Sequence, residues 1–152
     1  MNFQRTVAPN VVIADQPTES DLLALKEAGY VGIVNLRNDG EPEQPIDPKA
    51  EASRAADLGL DYLHYGVGSA PFTREGVASV VDFIDGHAAN GKVLVHCRKG
   101  GRAAALVLLQ QIKANGWTPD EAFERGKASG LEVEGGLKKL VEGYLAENPD
   151  IA

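Results

Sequence analysis

The segment VLVHCRKGGR at residues 93–102 is the most informative part of this sequence. It begins as a β-branched, apolar run that predicts a buried strand and ends in two glycines and an arginine. The run that follows, residues 103–114, predicts a helix. Glycines let backbone N–H groups turn inward, and a helix N-terminus offers unpaired N–H donors, so this segment predicts a cradle for an anion.

Cys97 is the candidate nucleophile in this cradle. Arg98, Lys99 and Arg102 place three positive charges beside it in a chain whose net charge is -7. Cations and N–H donors lower the pKa of a thiol, and the thiolate is the form that attacks. Arg102 can donate two hydrogen bonds to a tetrahedral oxyanion, whereas a lysine acts as a point charge. The alternative is that this single cysteine is a small core residue and that the basic residues form a solvated turn.

Short apolar runs alternate with helical stretches around this segment. The pattern predicts an α/β fold with a mostly parallel central sheet of about four to five strands, flanked by helices on both faces. The length of 152 residues indicates a single domain over residues 1–152. The strands are predicted at residues 11–13, 31–36, 60–65 and 92–96, and the helices at 18–28, 48–58, 73–84, 103–114, 119–129 and 136–147.

The carboxyl ends of parallel strands share one edge of a sheet, and ligands bind there. Arg37 follows the second predicted strand, Cys97 follows the last one, and the loop at residues 66–71 follows the third. We therefore expect these three loops to converge on one site.

Composition narrows the partners and the location. A net charge of -7 disfavours binding to nucleic acid and to anionic membranes. No apolar run approaches the roughly 18 residues of a membrane span, and the first residues lack the apolar stretch of a secretory signal, so we expect a cytoplasmic protein. A single cysteine excludes an internal disulfide, and no His, Asp or Glu spacing predicts a metal site or a cofactor.

The pair His96-Cys97 with Arg102 downstream resembles the signature of cysteine-dependent phosphatases of the tyrosine and dual-specificity kind. In those phosphatases five residues separate the cysteine and the arginine. Here four intervene, and Ala103 occupies the position where the longer loop carries its arginine. The shorter spacing resembles the loop of rhodanese sulfurtransferases.

Residues 10–115 are similar to the bacterial family known as DUF442 or beta-lactamase hydrolase-like (BLH) phosphatase. That family uses the shortened loop within a phosphatase-like fold. The resemblance is carried by short stretches on both sides of the first helix and the second strand: Ala14 to Thr18, Leu22, Leu25, Lys26, Gly29, Tyr30, Val34 to Arg37, Gly40, Glu41, Leu58 to Leu60, Tyr62 and His64.

The resemblance implies roles for the loop residues and a phosphorylated small molecule or protein as substrate. Cys97 would form a phosphocysteine intermediate, and Arg102 would hold two equatorial oxygens of the phosphoryl group. His96 would orient the loop by hydrogen bonding. The backbone N–H groups of the intervening residues would bind the same oxygens: Arg98, Lys99, Gly100 and Gly101.

Two departures from the phosphatase pattern predict slow hydrolysis. Ala103 stands where phosphatases place a Ser or Thr whose hydroxyl assists loss of the thiolate. The loop at residues 66–72 contains no carboxylate where phosphatases supply a general-acid Asp. Asp39 or Glu41 could substitute as the acid, and Arg37 could either add charge at the site or pair with those carboxylates.

Three functions follow from these features. The first is hydrolysis of phosphoryl monoesters, which the resemblance favours. The second is sulfur transfer through a persulfide on Cys97, which the short loop favours. The third is oxyanion binding without turnover, which Ala103 and the missing acid favour.

Overall fold

The structure, a computed structural model, describes residues 1–68 and 71–151. Positions 69 and 70 of the loop predicted to approach the site therefore lie outside the described residues. Strands and helices follow in this order: β1 Gln4–Ala8, β2 Val11–Ala14, α1 Glu19–Glu27, β3 Tyr30–Asn35, α2 Pro48–Asp57, β4 Asp61–His64, α3 Arg74–Ala88, β5 Lys92–His96, α4 Gly101–Asn115, α5 Pro119–Ala128 and α6 Gly136–Glu147.

The strands form one five-stranded sheet in the order β1-β2-β5-β3-β4. Strands β2, β5, β3 and β4 are parallel, and β1 pairs antiparallel with β2 at the edge. The predicted mostly parallel α/β sheet is confirmed. Strand β1 was not predicted, because it is a largely exposed edge strand of sequence QRTVA and lacks the apolar run of a buried strand.

Helices cover both faces of the sheet, as predicted. Val11 and Ile13 of β2 pack into the core beneath α3 and α4, whereas Val12 and Ala14 pack against α1 and α2. Alternate residues of a strand point to opposite faces, so a strand covered on both faces is apolar throughout. No helix among the described residues has the length and apolarity needed to cross a membrane.

The predicted starts of α1, α2 and α3 are confirmed by their caps. Thr18 accepts a hydrogen bond from the N–H of Asp21, whose side chain returns one to the N–H of Thr18, so α1 begins with a capping box. The side chains of Asp47 and Thr73 cap α2 and α3 in the same position. These caps set where each crossover helix leaves the sheet.

The register aligns the carboxyl ends of the four parallel strands. Ala14 pairs with His96, His96 with Asn35, and Asn35 with His64. These residues are the last of β2, β5, β3 and β4, so the strands end in one row. The residues that follow, including Cys97 after the central strand β5, share that edge of the sheet.

Candidate active site

Cys97 lies directly after β5, and its sulfur is held by the loop that follows. The backbone N–H of Gly100 donates to Sγ at 3.0 Å, which stabilises negative charge on the sulfur. The residue is only 1% exposed. It nevertheless lines a cavity of about 350 Å³ together with Arg98, Lys99 and Arg102. A core cysteine packed only among apolar side chains would have neither that donor nor those charged neighbours.

Gly100 gives the loop its inward turn. Its φ of 100° is left-handed, and it is the N-cap of α4. A Cβ at this position would lie 2.4 Å from the ring of Phe3, closer than side chains pack. Any other residue would therefore strain the backbone and displace the N–H that bonds the sulfur.

Arg102 lies in the first turn of α4 with its guanidinium beside the sulfur. Its Nη1 and Nη2 each donate to an oxygen of Glu41 at 2.9 Å, and Nη1 also donates to the carbonyl oxygen of Val67. The hydrogen bonds to Glu41 raise the pKa of Arg102, and the charge of Cys97 adds to the effect. Among the described residues no oxygen accepts a hydrogen bond from Nε.

Glu41 is an ion-pair partner in this structure. Partial burial by itself would raise its pKa, but hydrogen bonds from Arg102, the Asn38 N–H and Arg37 outweigh burial and lower the pKa from 4.5 to about 2. The carboxylate is therefore ionised at neutral pH. It can orient Arg102, but in this arrangement it holds no proton to give to a leaving group.

Arg37 lies beneath Glu41 and is 0% exposed. Its Nε donates to Glu41 at 3.1 Å, and Nη1 donates to the side chain of Gln16 at 2.9 Å and to a backbone carbonyl. Nη2 donates to the carbonyl oxygen of Pro42. Arg37 thus pairs with a carboxylate, one of its two expected roles, and its contact with a substrate stays a prediction.

The remaining loop residues differ in exposure. Arg98 pairs with Glu43, and Lys99 is exposed, with no hydrogen bond or salt bridge in the described ranges 1–68 and 71–151. Both line the Cys97 cavity, as does Gly101. The positive charge predicted around Cys97 is thus brought together at the cavity.

His96, the last residue of β5, pairs with Glu51 of α2. Nε2 and a Glu51 oxygen are 2.7 Å apart, and both side chains are 0% exposed. Burial, followed by the charge of Glu51, raises the pKa of Tyr62, so its phenol stays protonated beside this pair. Glu51 is therefore the hydrogen-bond partner of His96, whose orienting role stays a prediction.

The cavity beside Cys97 is walled on its other side by α6, which contributes Gly136, Leu137 and Leu140. No carboxylate from the described residues lines it. Asp39 is exposed and lines a different cavity, with Tyr62 and His64. Among the described residues, no group of three or more His, Cys, Asp and Glu side chains could hold a metal ion.

Sequence reasoning did not find the roles of Gln16, Glu51 and the two leucines of α6. Gln16 lies just after β2, at the sheet edge where ligands bind, and that position is the signal that could have found it. Glu51 lies in a helix of otherwise ordinary surface composition, and no local pattern marks it. The α6 leucines belong to an apolar helical pattern that does not distinguish a cavity wall from the core.

The fold and the site together define a class. The parallel sheet, with a Cys and an Arg in a loop between its central strand and a helix, has the fold of the protein tyrosine and dual-specificity phosphatases. Two solved structures match it. A DUF442 protein of Shewanella putrefaciens CN-32 has a TM-score of 0.73 at 24% identity, covering 95% of this chain and 91% of that one. Tk-PTP in its active form has a TM-score of 0.74 at 21% identity, covering 91% and 96%.

The family model described as "Beta-lactamase hydrolase-like protein, phosphatase-like domain" matches residues 3–114, and the chain belongs to that family. A beta-lactamase hydrolase-like protein of Xylella fastidiosa (strain Temecula1) is 32% identical over 124 residues, which are 81% of this chain and 28% of that relative. The chain thus spans less than a third of the length of that curated relative. The resemblance expected from the sequence is confirmed.

Proposed function

We propose that this chain hydrolyses phosphoryl monoesters through a phosphocysteine intermediate on Cys97. The observation that carries the proposal is the pairing of two donors at one sulfur. The Gly100 N–H donates to Sγ, and the Arg102 guanidinium, from whose Nε no described oxygen accepts, lies beside that sulfur. Family membership supports the same chemistry.

The reaction proceeds in two displacements. In the first, Sγ of Cys97 attacks phosphorus, the ester P–O bond breaks, and the alcohol oxygen leaves with the bonding electrons and takes up a proton from solvent. In the second, water attacks phosphorus and gives a proton to solvent, the S–P bond breaks, and phosphate and the thiolate are released. The Nε edge of Arg102 and the loop N–H groups hold the equatorial oxygens and stabilise the charge that spreads over them.

Glu41 acts on this reaction through Arg102. It occupies the Nη1–Nη2 edge of the guanidinium and thereby fixes the direction of the free edge. A bidentate carboxylate restricts an arginine far more than water does, so the phosphate meets an oriented donor pair.

The described residues at the Cys97 cavity include no general acid that would protonate the leaving oxygen. Glu41 is ionised, and no described carboxylate lines the Cys97 cavity. A general-acid role for Asp39 stays a prediction, and it requires the loop that carries Asp39 to move toward Cys97. Without an acid, esters with good leaving groups such as phenols react fastest, because general acid catalysis is worth roughly a hundredfold to ten-thousandfold for poor ones.

The ester group has a defined place to lie. Leu137 and Leu140 of α6 form an apolar wall of the cavity, opposite the charged loop. The phosphoryl group would bind at the loop, and an apolar ester group would bury against these leucines.

The direct test is aryl-phosphate hydrolysis by the wild type and by Cys97→Ser, which keeps the size of the side chain. We expect turnover in the wild type and none above background in the variant. Equal rates in the two proteins would remove the proposal.

Sulfur transfer is the second candidate, and the four-residue spacing between Cys97 and Arg102 favours it. A persulfide sulfur needs a smaller ring of N–H donors than a phosphoryl group does. Thiosulfate-dependent formation of thiocyanate from cyanide, lost in Cys97→Ser and unaccompanied by aryl-phosphate hydrolysis, would replace the first proposal with this one.

A further inference from the structure

A continuous hydrogen-bonded chain of side chains runs beneath the Cys97 loop, from one side of the site to the other. On one side His96, which precedes the nucleophile, bonds Glu51. On the other side Arg102 bonds Glu41. The two ends are joined through Gln16 and Arg37.

The links are short, and at each one a donor meets an acceptor. Gln16 Nε2 donates to Glu51 at 2.9 Å, and Gln16 Oε1 accepts from Arg37 Nη1 at 2.9 Å. Arg37 Nε then donates to Glu41 at 3.1 Å. Within this hydrogen-bonded chain the carboxylates of Glu51 and Glu41 accept, the guanidinium of Arg37 donates, and the neutral amide of Gln16 does both.

Burial couples the links of this hydrogen-bonded chain to one another. The side chains of His96, Glu51 and Arg37 are all 0% exposed. A buried charge that loses its partner carries a large desolvation penalty, so breaking one link disturbs the groups on either side of it.

The orientation of the His96 ring depends on its place in this hydrogen-bonded chain. Its Nδ1 is buried and has no hydrogen-bond partner among residues 1–68 and 71–151. The bond from Nε2 to Glu51 is therefore the polar contact that positions the ring, at the end of the strand that leads into Cys97.

We propose that Gln16 and Glu51 are positioning residues that join the His96 side of the Cys97 loop to the Arg102 side through one hydrogen-bonded chain. Neither residue lines the Cys97 cavity, so each acts through other side chains. A test by enzyme turnover rests on the proposed function. A test by the affinity for an oxyanion does not.

The link between Gln16 and Glu51 can be tested by exchanging the two residue types, which exchanges the donor and the acceptor. In Gln16→Glu the new carboxylate faces the carboxylate of Glu51. In Glu51→Gln the new amide N–H group faces the amide N–H group of Gln16, unless the Gln16 amide turns its N–H group toward Arg37. In the double variant Gln16→Glu with Glu51→Gln, the new Gln donates to the new Glu, and His96 and Arg37 keep their acceptors. The new Glu loses only the bond that Gln16 donates to the carbonyl of Pro17.

The measurement is the affinity for orthovanadate, which binds a thiolate as a five-coordinate adduct, determined by protection of Cys97 from iodoacetamide. We expect each single variant to weaken the affinity roughly tenfold, since a misplacement of about 1 Å can cost a hundredfold in rate. The double variant should recover most of the loss. For aryl phosphate, kcat should fall more than KM rises, because contacts to the equatorial oxygens strengthen in the transition state.

Gln110→Glu is the matched control, because Gln110 of α4 also donates from its amide to a carboxylate, Asp85, at 2.8 Å. It lies eight residues beyond Arg102, about 12 Å along the helix. This control should lower thermal stability and leave vanadate affinity unchanged. If Glu51→Gln does not fold, Gln16→Glu alone tests the link, since Gln16 is only half-buried.

Single variants with wild-type vanadate affinity, or a double variant no better than the weaker single variant, would overturn the proposal. A wild type that binds vanadate but hydrolyses no aryl phosphate would overturn only the proposed function. A wild type that does not bind vanadate would overturn both.

Discussion

Replacement of Glu41 by Gln tests the ion pair that orients Arg102. The pKa of Glu41 falls from 4.5 to about 2 in the folded protein. Each pH unit corresponds to 1.36 kcal/mol, so the carboxylate contributes about 3 kcal/mol to the free energy of unfolding at neutral pH. Because the folded pKa is the lower one, this contribution is fully present above pH 4.5 and is lost as the pH falls toward 2.

The assay is urea unfolding of the wild type and Glu41→Gln at pH 7 and at pH 3. We expect the variant to be about 2–3 kcal/mol less stable at pH 7, with the difference reduced to about 1 kcal/mol at pH 3. Glu43→Gln is the matched control, because Glu43 lies in the same loop and pairs with an arginine at the exposed surface. A Glu41→Gln effect that is the same at both pH values, or no larger than that of the control, would refute the reasoning.

Three further predictions concern the site. Arg102→Lys should lower kcat for aryl phosphate roughly a hundredfold or more, since a lysine cannot donate to two oxygens at once; a change of less than threefold would contradict the assigned role. Leu140→Ser should raise KM about fivefold for aryl phosphate and leave KM for glycerol phosphate unchanged, because about 1 kcal/mol of apolar contact is lost; Leu145→Ser on the same helix is the control, and equal effects on both substrates would argue against the apolar wall. Inorganic phosphate should slow the alkylation of Cys97 by iodoacetamide at pH 7, since an oxyanion held by the loop covers the sulfur; an alkylation rate that phosphate does not change would argue against an oxyanion site beside Cys97.

The fold was predictable wherever burial leaves a local pattern. The strands β2, β3 and β5 are covered on both faces, so their sequences are continuous apolar runs. Strand β1 escaped prediction because its side chains are mostly exposed and its sequence resembles a loop. Helix starts were predictable because capping residues such as Thr18 and Thr73 lie next to the helices they cap.

The site was predictable where its parts are neighbours in sequence. Cys97, Gly100 and Arg102 belong to one strand-loop-helix segment, and their chemistry follows from that segment alone. The partner of His96 is 45 residues away in sequence, and that of Arg102 is 61 residues away. No local pattern encodes such pairs.

Whether a carboxylate is an acid or an ion-pair partner also depends on distant residues. Glu41 was a possible general acid from sequence, and only its contacts with Arg102 and Arg37 show that it is ionised. The same contacts show Arg37 paired with a carboxylate, which is one of the two roles that the sequence allowed.

Rapid acid quench of wild-type protein during aryl-phosphate turnover, followed by mass analysis of the peptide that contains Cys97, measures the intermediate itself. We predict a mass increase of one phosphoryl group on that peptide, formed at least as fast as phosphate is released and absent in Cys97→Ser. Steady release of phosphate with no phosphoryl group on Cys97 at any quench time would contradict the account.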